Sequence, residues 1–561
     1  MRPLGGCIAL VVLAVVPAHA QNVGTLEPGA VQQQSNQTER YYGQQKAIQQ
    51  NKNPLRSGET VINKANPAAA RPRSAAGPSF LLKKIETNPS AILAPADISK
   101  IAAPYEGKKT NISELHQIVA QINALYRQKG YLTARAFLLP QNVEGGVVHI
   151  ELVEGRLARI SVTGNQHTAA SYYTSRVGLK PGDLIRTGPL EKKLLLLNQT
   201  SDTQLRAVLQ AGSKFGTTDV DLEAREPANI STKISFDNSG YDFIGRNRLG
   251  LITTDRSLFR HRDALTVREY WADGTVTGIA QYQAPVGTRG AHLGASVSYN
   301  HIDIRSGSLA KLAVRGHFWD YSLNFTQPAF VTRHTLLELY AAPHYQRSLI
   351  QSRTFTISRA WATYLELGGL LRHYGSHGLL EWNNSLAGGR DRVVRDRGFL
   401  KYTGAFTRAQ TLGHGFVAVV RALGQARVAG VAGLAPSQQF QLGGISTVRG
   451  YPEGMLIGDN GYALSAELDT PVPLVERTFH GHSLSNRFKL AFFLDHGGIL
   501  QSHHDSFLTG TGGGVIVNLS RYLTARFNLA GPLQNEANIS HLAFEFYLQS
   551  TPPWARLIHK H

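Results

Sequence analysis

The chain of 561 residues contains one cysteine, Cys7, and it lies within the first twenty positions. With those positions read as a leader, disulfides, thiol catalysis and cysteine-based metal sites are excluded, so the fold must hold without covalent staples. Long apolar runs are also missing. After the leader no stretch reaches the ~18 consecutive apolar residues of a membrane-spanning helix, although 42% of residues are hydrophobic and 55 are glycine. Acidic residues are few, 39 against 58 Lys and Arg, for a net charge of +19. In an exported chain that surplus does not point to nucleic acid, and net charge says nothing of the fold. Catalytic signatures are absent too: there is no H-E-x-x-H zinc motif, no G-x-S-x-G nucleophile elbow and no complete Walker phosphate loop. Gly510-Thr511-Gly512-Gly513-Gly514 has no βαβ context and reads as strand glycine. His503-His504-Asp505 reads as a polar loop, so neither a metal nor a cofactor is expected and the chain is not read as an enzyme.

What is present begins with an export signal. Arg2, an apolar run over 8–16 and Ala18-His19-Ala20 predict a signal peptide over 1–20, cleaved before Gln21. Leu4-Gly5-Gly6-Cys7 fails as a lipoprotein signal because its cysteine precedes the apolar run. An exported chain without a spanning helix is periplasmic, secreted or a β-barrel. Residues 21–78 form a polar segment with Gln32-Gln33-Gln34, Gln44-Gln45 and Gln49-Gln50, followed by Pro54, Pro67, Pro72 and Pro78. Nine basic residues between positions 40 and 84 face only Glu59, a local surplus of +8 that reads as a basic linker. A helix over 31–50 and plain disorder both fit, because the apolar face there is poor.

Two units of mixed pattern follow. Asn111 and Glu114 are spaced as a capping box, and Ile112, Leu115, Ile118, Val119, Ile122, Leu125 and Tyr126 fall on one helical face until Gly130-Tyr131. Strands are expected over 132–139 and 147–153. A second unit, 156–228, offers a strand over 158–162, a turn at Gly164-Asn165, a helix over 190–198 and a strand over 220–224. From 229 to 561 a two-residue alternation recurs, as in Leu293, Ala295, Val297 and Tyr299, in Leu523, Ala525, Phe527 and Leu529, and in Leu542, Phe544, Phe546 and Leu548. A wall with lipid outside and water inside needs that pattern in segments of ~9–11 residues. Sixteen strands would leave roughly 21 residues per strand and connection, whereas eight would leave roughly 42, too long for a membrane.

The densest clue lies inside this stretch. Val448-Arg449-Gly450-Tyr451 is glycine-flanked in a loop over 443–460, and 46 positions after Arg449 comes Phe493-Leu494-Asp495-His496-Gly497. Phe488, Leu490, Phe492 and Leu494 share one strand face; Ala491, Phe493 and Asp495 share the other, which faces the lumen. An aspartate there needs a partner, and a guanidinium pairs with it in a two-pronged, directional way. Glu467 also faces inward and competes for Arg449; spacing does not decide between the two.

V-R-G-Y followed by F-x-D-x-G resembles the signature of outer-membrane transporters of two-partner secretion, the TpsB type (ShlB/FhaC/HecB), relatives of BamA whose barrels follow periplasmic POTRA domains. Lys129-Gly130-Tyr131-Leu132-Thr133-Ala134-Arg135, Leu139-Pro140-Gln141 and Val153-Glu154-Gly155-Arg156 resemble the first POTRA domain of those transporters, and 156–228 is similar to a second. The resemblance implies a transmembrane antiparallel β-barrel of sixteen strands over 229–561, preceded by two α+β POTRA domains over 79–155 and 156–228. It implies an N-terminal helix in the pore at rest, and Asp495 as the partner of Arg449 in a conformational element. It further implies a secreted exoprotein client of adhesin or hemolysin type, an outer-membrane location with POTRA domains in the periplasm, and barrel assembly machinery and periplasmic chaperones as partners in biogenesis. An insertase for other barrels and a passive diffusion porin are the alternatives. One departure stands out: the last alternating run ends near Leu548, and 551–561 continues past it with Pro552, Pro553 and Trp554.

Overall fold

The computed structural model describes residues 27–50, 60–64, 78–143, 145–307, 310–392, 396–430, 433–472, 478–479, 482–483, 487–501, 505–520, 522–534 and 542–552. The signal-peptide region, His503, His504 and residues 553–561 of the tail lie outside these. Two compact units result, one holding the N-terminal helix with everything from Ala228 onward save a three-residue turn, the other spanning Leu55–Pro227.

In the first unit the alternation becomes a closed barrel of sixteen strands, from Ile230–Asp237 to Ala543–Ser550. Each strand pairs antiparallel with the next, and the last closes on the first between Ile234↔Ser550 and Asp237↔Tyr547. The faces are inverted relative to a soluble sandwich. Leu293, Leu323, Phe325, Leu464, Phe492 and Leu494 are exposed on the outside, whereas Ser298, Asn300, Gln346, Glu467 and Asp495 are buried on the inside. Such an exterior belongs in hydrocarbon and such an interior in water. The chain enters at Ile230, and at that end the connections 332–334, 376–377 and 414–415 are short; the opposite end carries the longer 238–247, 304–314 and 431–459.

The N-terminal helix, Pro28–Gln50, belongs to the same unit. It begins before position 31, with Pro28 in the first turn, where a missing N–H costs nothing. Its weak apolar face is explained by its surroundings, because the lumen is polar. Gln32, Gln34, Ser35, Thr38 and Gln45 are all buried. Gln34 Nε2 donates to the Ser239 carbonyl at 2.9 Å, Gln44 Nε2 to Glu381 at 2.7 Å and Lys46 Nζ to Gln549 at 3.0 Å. The Tyr42 ring stacks on Tyr547 with centroids 3.4 Å apart.

The second unit holds two hydrophobic cores. In the first, the helix Ile112–Gln128 is capped by Asn111, whose side chain accepts from Ser113 and Glu114 while Glu114 bonds back to the Asn111 N–H. Its Leu115, Ile118, Ile122 and Tyr126 pack on Val148, Ile150 and Leu152. The sheet runs Lys84–Thr87, Val147–Glu154, Ala134–Phe137, with Ala134–Phe137 at an edge. In the second core, Leu190, Leu194 and Leu197 of the helix Thr187–Thr200 pack on Leu205, Ala207, Val220 and Leu222. Several elements lack a strong sequence signal. The helices Pro95–Ala102 and Ala170–Val177 are short, and Gln204–Ala211 mixes polar and apolar residues. Val61–Asn63, within the stretch read as linker, pairs parallel with Gln204–Ala211 as Val61↔Ala207 to Asn63↔Leu209.

Candidate functional site

The long loop at 433–459 folds back among buried residues. A short hairpin of Phe440–Leu442 and Leu456–Gly458 forms its stem. Beyond the stem the chain turns at Gly443 and Gly444, with φ of 105° and 98°, and again at Gly450, with φ of 92°. Those values lie in the left-handed region that only glycine enters freely. Val448, Arg449 and Tyr451 are all buried, and among the described residues Arg449 is the largest side chain to be buried almost completely, at 1% exposure.

Arg449 meets both inward carboxylates. Its Nε donates to Asp495 Oδ2 at 2.7 Å and its Nη2 to Asp495 Oδ1 at 2.8 Å, a two-pronged pair. The Arg449 backbone N–H also donates to Asp495 Oδ2, at 3.1 Å. Its Nη1 donates to Glu467 Oε2 at 2.5 Å, and Ser465 Oγ accepts from Nη2 at 3.1 Å. The guanidinium carbon lies 3.5 Å from the centre of the Phe493 ring. Phe493 thus supplies a π face beneath the cation. Gly497, two residues past Asp495, has no room for a side chain, because a Cβ there would fall 2.5 Å from Leu442 in the loop stem. Tyr451 Oη donates to the carbonyls of Thr509 at 3.0 Å and Gln534 at 3.1 Å.

Further residues complete the cluster. Arg526 donates to both oxygens of Glu467, at 3.0 and 2.8 Å, and its Nε donates to Asn528 at 2.9 Å. Asn528 in turn donates to Glu545 at 3.2 Å, and the Gly450 N–H donates to the same Glu545 carboxylate at 3.2 Å. The carboxylates of Asp495, Glu467 and Glu545 are thus each paired with a guanidinium or hydrogen-bonded, the condition under which buried charge is tolerated. The helix reaches it as well: Gln45 Nε2 lies 3.3 Å from Glu467 Oε1, and Tyr41 Oη lies 3.4 Å from Arg449 Nη1. Arg421 stands over the Tyr41 ring at 4.9 Å. Arg526 had a signal in sequence, as an arginine on the polar face of the 523–529 alternation. Tyr41 and Gln45 had none, since their partners are some 400 residues away.

Between the helix and the barrel wall remains a cavity of about 350 Å³, lined by polar groups such as Gln33, Gln37, Asp320, Glu366 and Lys401. Among the described residues no cluster of three or more His, Cys, Asp or Glu could hold a metal. Gly510 to Gly514 lie within the strand Ser506–Ser520, and the Arg449 carbonyl occupies the space that a side chain at Gly510 would need.

Comparison with known proteins agrees with this architecture. Residues 80–155 match the POTRA domain of ShlB type. The heme/hemopexin transporter protein HuxB of Haemophilus influenzae is 24% identical over 471 residues, covering 79% of this chain and 81% of its own. The outer membrane transporter CdiB of Dickeya dadantii is 30% identical over 173 residues, about 31% of this chain and 30% of that one. The solved structure of CdiB from Escherichia coli superposes with a TM-score of 0.63 at 18% identity, over 94% of this chain and 99% of that one. A BamA structure from Haemophilus ducreyi lacking POTRA domains 1–3 superposes at 0.55 and 15% identity, covering 84% and 100%. The family model for haemolysin secretion/activation proteins matches residues 216–517, more than half of the chain, and the protein belongs to this ShlB/FhaC/HecB family.

Proposed function

We propose that this outer-membrane barrel secretes a partner exoprotein of adhesin or hemolysin type, delivered unfolded to the periplasmic POTRA region. The observation that carries the reading is a lumen filled by the chain's own N-terminal helix through polar contacts. Hydrogen bonds such as Gln34 to Ser239 and Gln44 to Glu381 can be exchanged for water. A seal made of them is removable, which suits a pore that opens for a chain; a diffusion porin has no use for it. Residues 79–155 and 156–228 act as two POTRA domains ahead of the barrel at 229–561; the second reading is supported by its sheet and two-helix core. The edge strand Ala134–Phe137 suits addition of an extended client strand. The Arg449, Asp495 and Glu467 cluster serves as a conformational lock that holds the loop, and the chain reaches the membrane with periplasmic chaperones and the barrel assembly machinery. Co-expression with a candidate exoprotein client tests the proposal: client in the medium only when this barrel is present supports it, and equal release without the barrel sinks it.

A second reading, insertion of other barrel proteins, draws on the short seam between Ile234–Asp237 and 547–550. Normal levels of other outer-membrane barrels after loss of this protein would exclude it.

A further inference from the structure

Near the loop end of the barrel, five neighbouring strands turn a continuous row of side chains outward. Cross-strand partners run Tyr299↔Trp319, Trp319↔Arg347, Arg347↔Trp361 and Trp361↔Arg392. Directly paired residues share one face. Burial identifies that face as the outer one: Trp319, Arg347 and Arg392 are exposed, whereas the neighbours Phe318, Gln346, Ser348 and Asp391 are buried. Indole and guanidinium thus alternate along one level. Arg359, paired with Leu349, is exposed one step nearer the loops. Arg315 begins its strand there with a side chain 65% exposed and Asp303 3.7 Å away.

The level of this row is fixed by strand geometry. From Trp319 to Val331, at the entry end of the same strand, there are twelve residue steps. At about 3.3 Å per residue and a tilt of about 40°, that is roughly 30 Å, enough to cross an apolar band about 25 Å tall. Below the row the same strands expose Leu323, Phe325, Leu365, Leu367 and Leu386. Above it come the loops. The arginines therefore stand where hydrocarbon gives way to headgroups on the outer leaflet. Among the described residues no carboxylate shares the outward face of the four strands from Arg315–Val331 to Gly378–Arg392. Elsewhere around the rim the large apolar residues Phe236, Leu249, Val428 and Phe544 are exposed near the loop end.

We propose that this sector is a docking surface for a phosphorylated lipid of the outer leaflet. Guanidinium groups on adjacent strands present paired donors that match phosphate oxygens, and indoles beside them sit at the interface where aromatic rings are favoured. Arg347, Arg359 and Arg392 hold the phosphates, while Trp319 and Trp361 cover the headgroup body. The inference goes beyond secretion and requires only that the barrel crosses the outer membrane.

The full-length protein in nanodiscs of zwitterionic phospholipid, doped with bis-phosphorylated lipid A or with the same lipid stripped of phosphate, provides the test, with retained lipid counted by native mass spectrometry. The wild type is expected to keep the phosphorylated lipid at least tenfold better than the stripped one. Arg347→Gln, Arg359→Gln and Arg392→Gln together are expected to abolish the difference. Equal retention of the two lipids by wild type, undiminished preference in the triple variant, or full displacement by millimolar inorganic phosphate would each overturn the proposal. If the triple variant fails to fold, the comparison of the two lipids on wild type still decides. Secretion is not the readout, so failure here is separable from failure of the transport reading.

Discussion

Asp495 takes hold of Arg449 twice, through the backbone N–H at 3.1 Å and through the guanidinium fork at 2.7 and 2.8 Å. One carboxylate thus fixes both where the loop runs and where its charge points. Arg449→Lys keeps the backbone bond and the charge but loses the fork and the reach to Glu467. Secretion by the lysine variant is expected to fall between wild type and Arg449→Ala. In Arg449→Ala the buried Asp495 loses its guanidinium partner while Glu467 keeps Arg526, a change on the order of 3–5 kcal/mol. The temperature at which the folded barrel loses its fast electrophoretic mobility should drop accordingly, and an unchanged temperature would contradict the cluster's structural weight.

Charge reversal at both positions is not expected to rescue. In the double variant Arg449→Asp with Asp495→Arg, the new carboxylate would stand against Glu467, which now lies 2.5 Å from Arg449 Nη1. Adding Glu467→Gln to the swap removes that repulsion and should recover part of the client secretion. Full rescue by the simple swap would mean that Glu467 is a bystander.

A glycine across the sheet should reproduce the arginine defect. A Cβ on Gly510 would overlap the carbonyl oxygen of Arg449. Gly510→Ala is expected to push the loop away from the wall at a cost of about 1–3 kcal/mol. Limited proteolysis of the loop at 443–460 should become faster, whereas Gly278→Ala, with open space around it, should leave the rate unchanged.

Removal of the N-terminal helix should widen the pore. In planar bilayers, deletion of residues 28–50 is expected to raise single-channel conductance severalfold over that of the wild type. Tyr42→Ala removes the stack on Tyr547, worth about 0.5–1.5 kcal/mol, together with the hydrogen bond between Tyr42 Oη and Ser239 Oγ at 3.2 Å. It should raise the frequency of large openings without changing their size. Identical conductance of wild type and deletion would show that the helix does not obstruct the pore.

Strand alternation carried much of this structure in the sequence. Phe492 and Leu494 lie outside, and Phe493 and Asp495 inside, as two-residue periodicity requires. The capping box at Asn111 and Glu114 formed where local spacing placed it, because caps depend on neighbours alone. What sequence left open depends on distant partners. The helix at Pro28–Gln50 buries glutamines against a polar wall, so no apolar stripe announces it. Val61–Asn63 is a strand only because Gln204–Ala211 offers it an edge. Spacing set Asp495 and Glu467 as rivals for Arg449; the planar guanidinium has donors on three nitrogens and reaches both.

The bond from the Gly450 N–H to Glu545 ties the loop to the seam of the wall. Glu545 belongs to the strand Ala543–Ser550, which closes the ring on Ile230–Asp237. Ninety-five residues separate donor and acceptor, so the loop gains this anchor only when that strand is in place. Asp495 and Glu467 hold Arg449 from other strands, so a ring opened at this seam keeps its loop seated at the arginine and frees it only at the glycine.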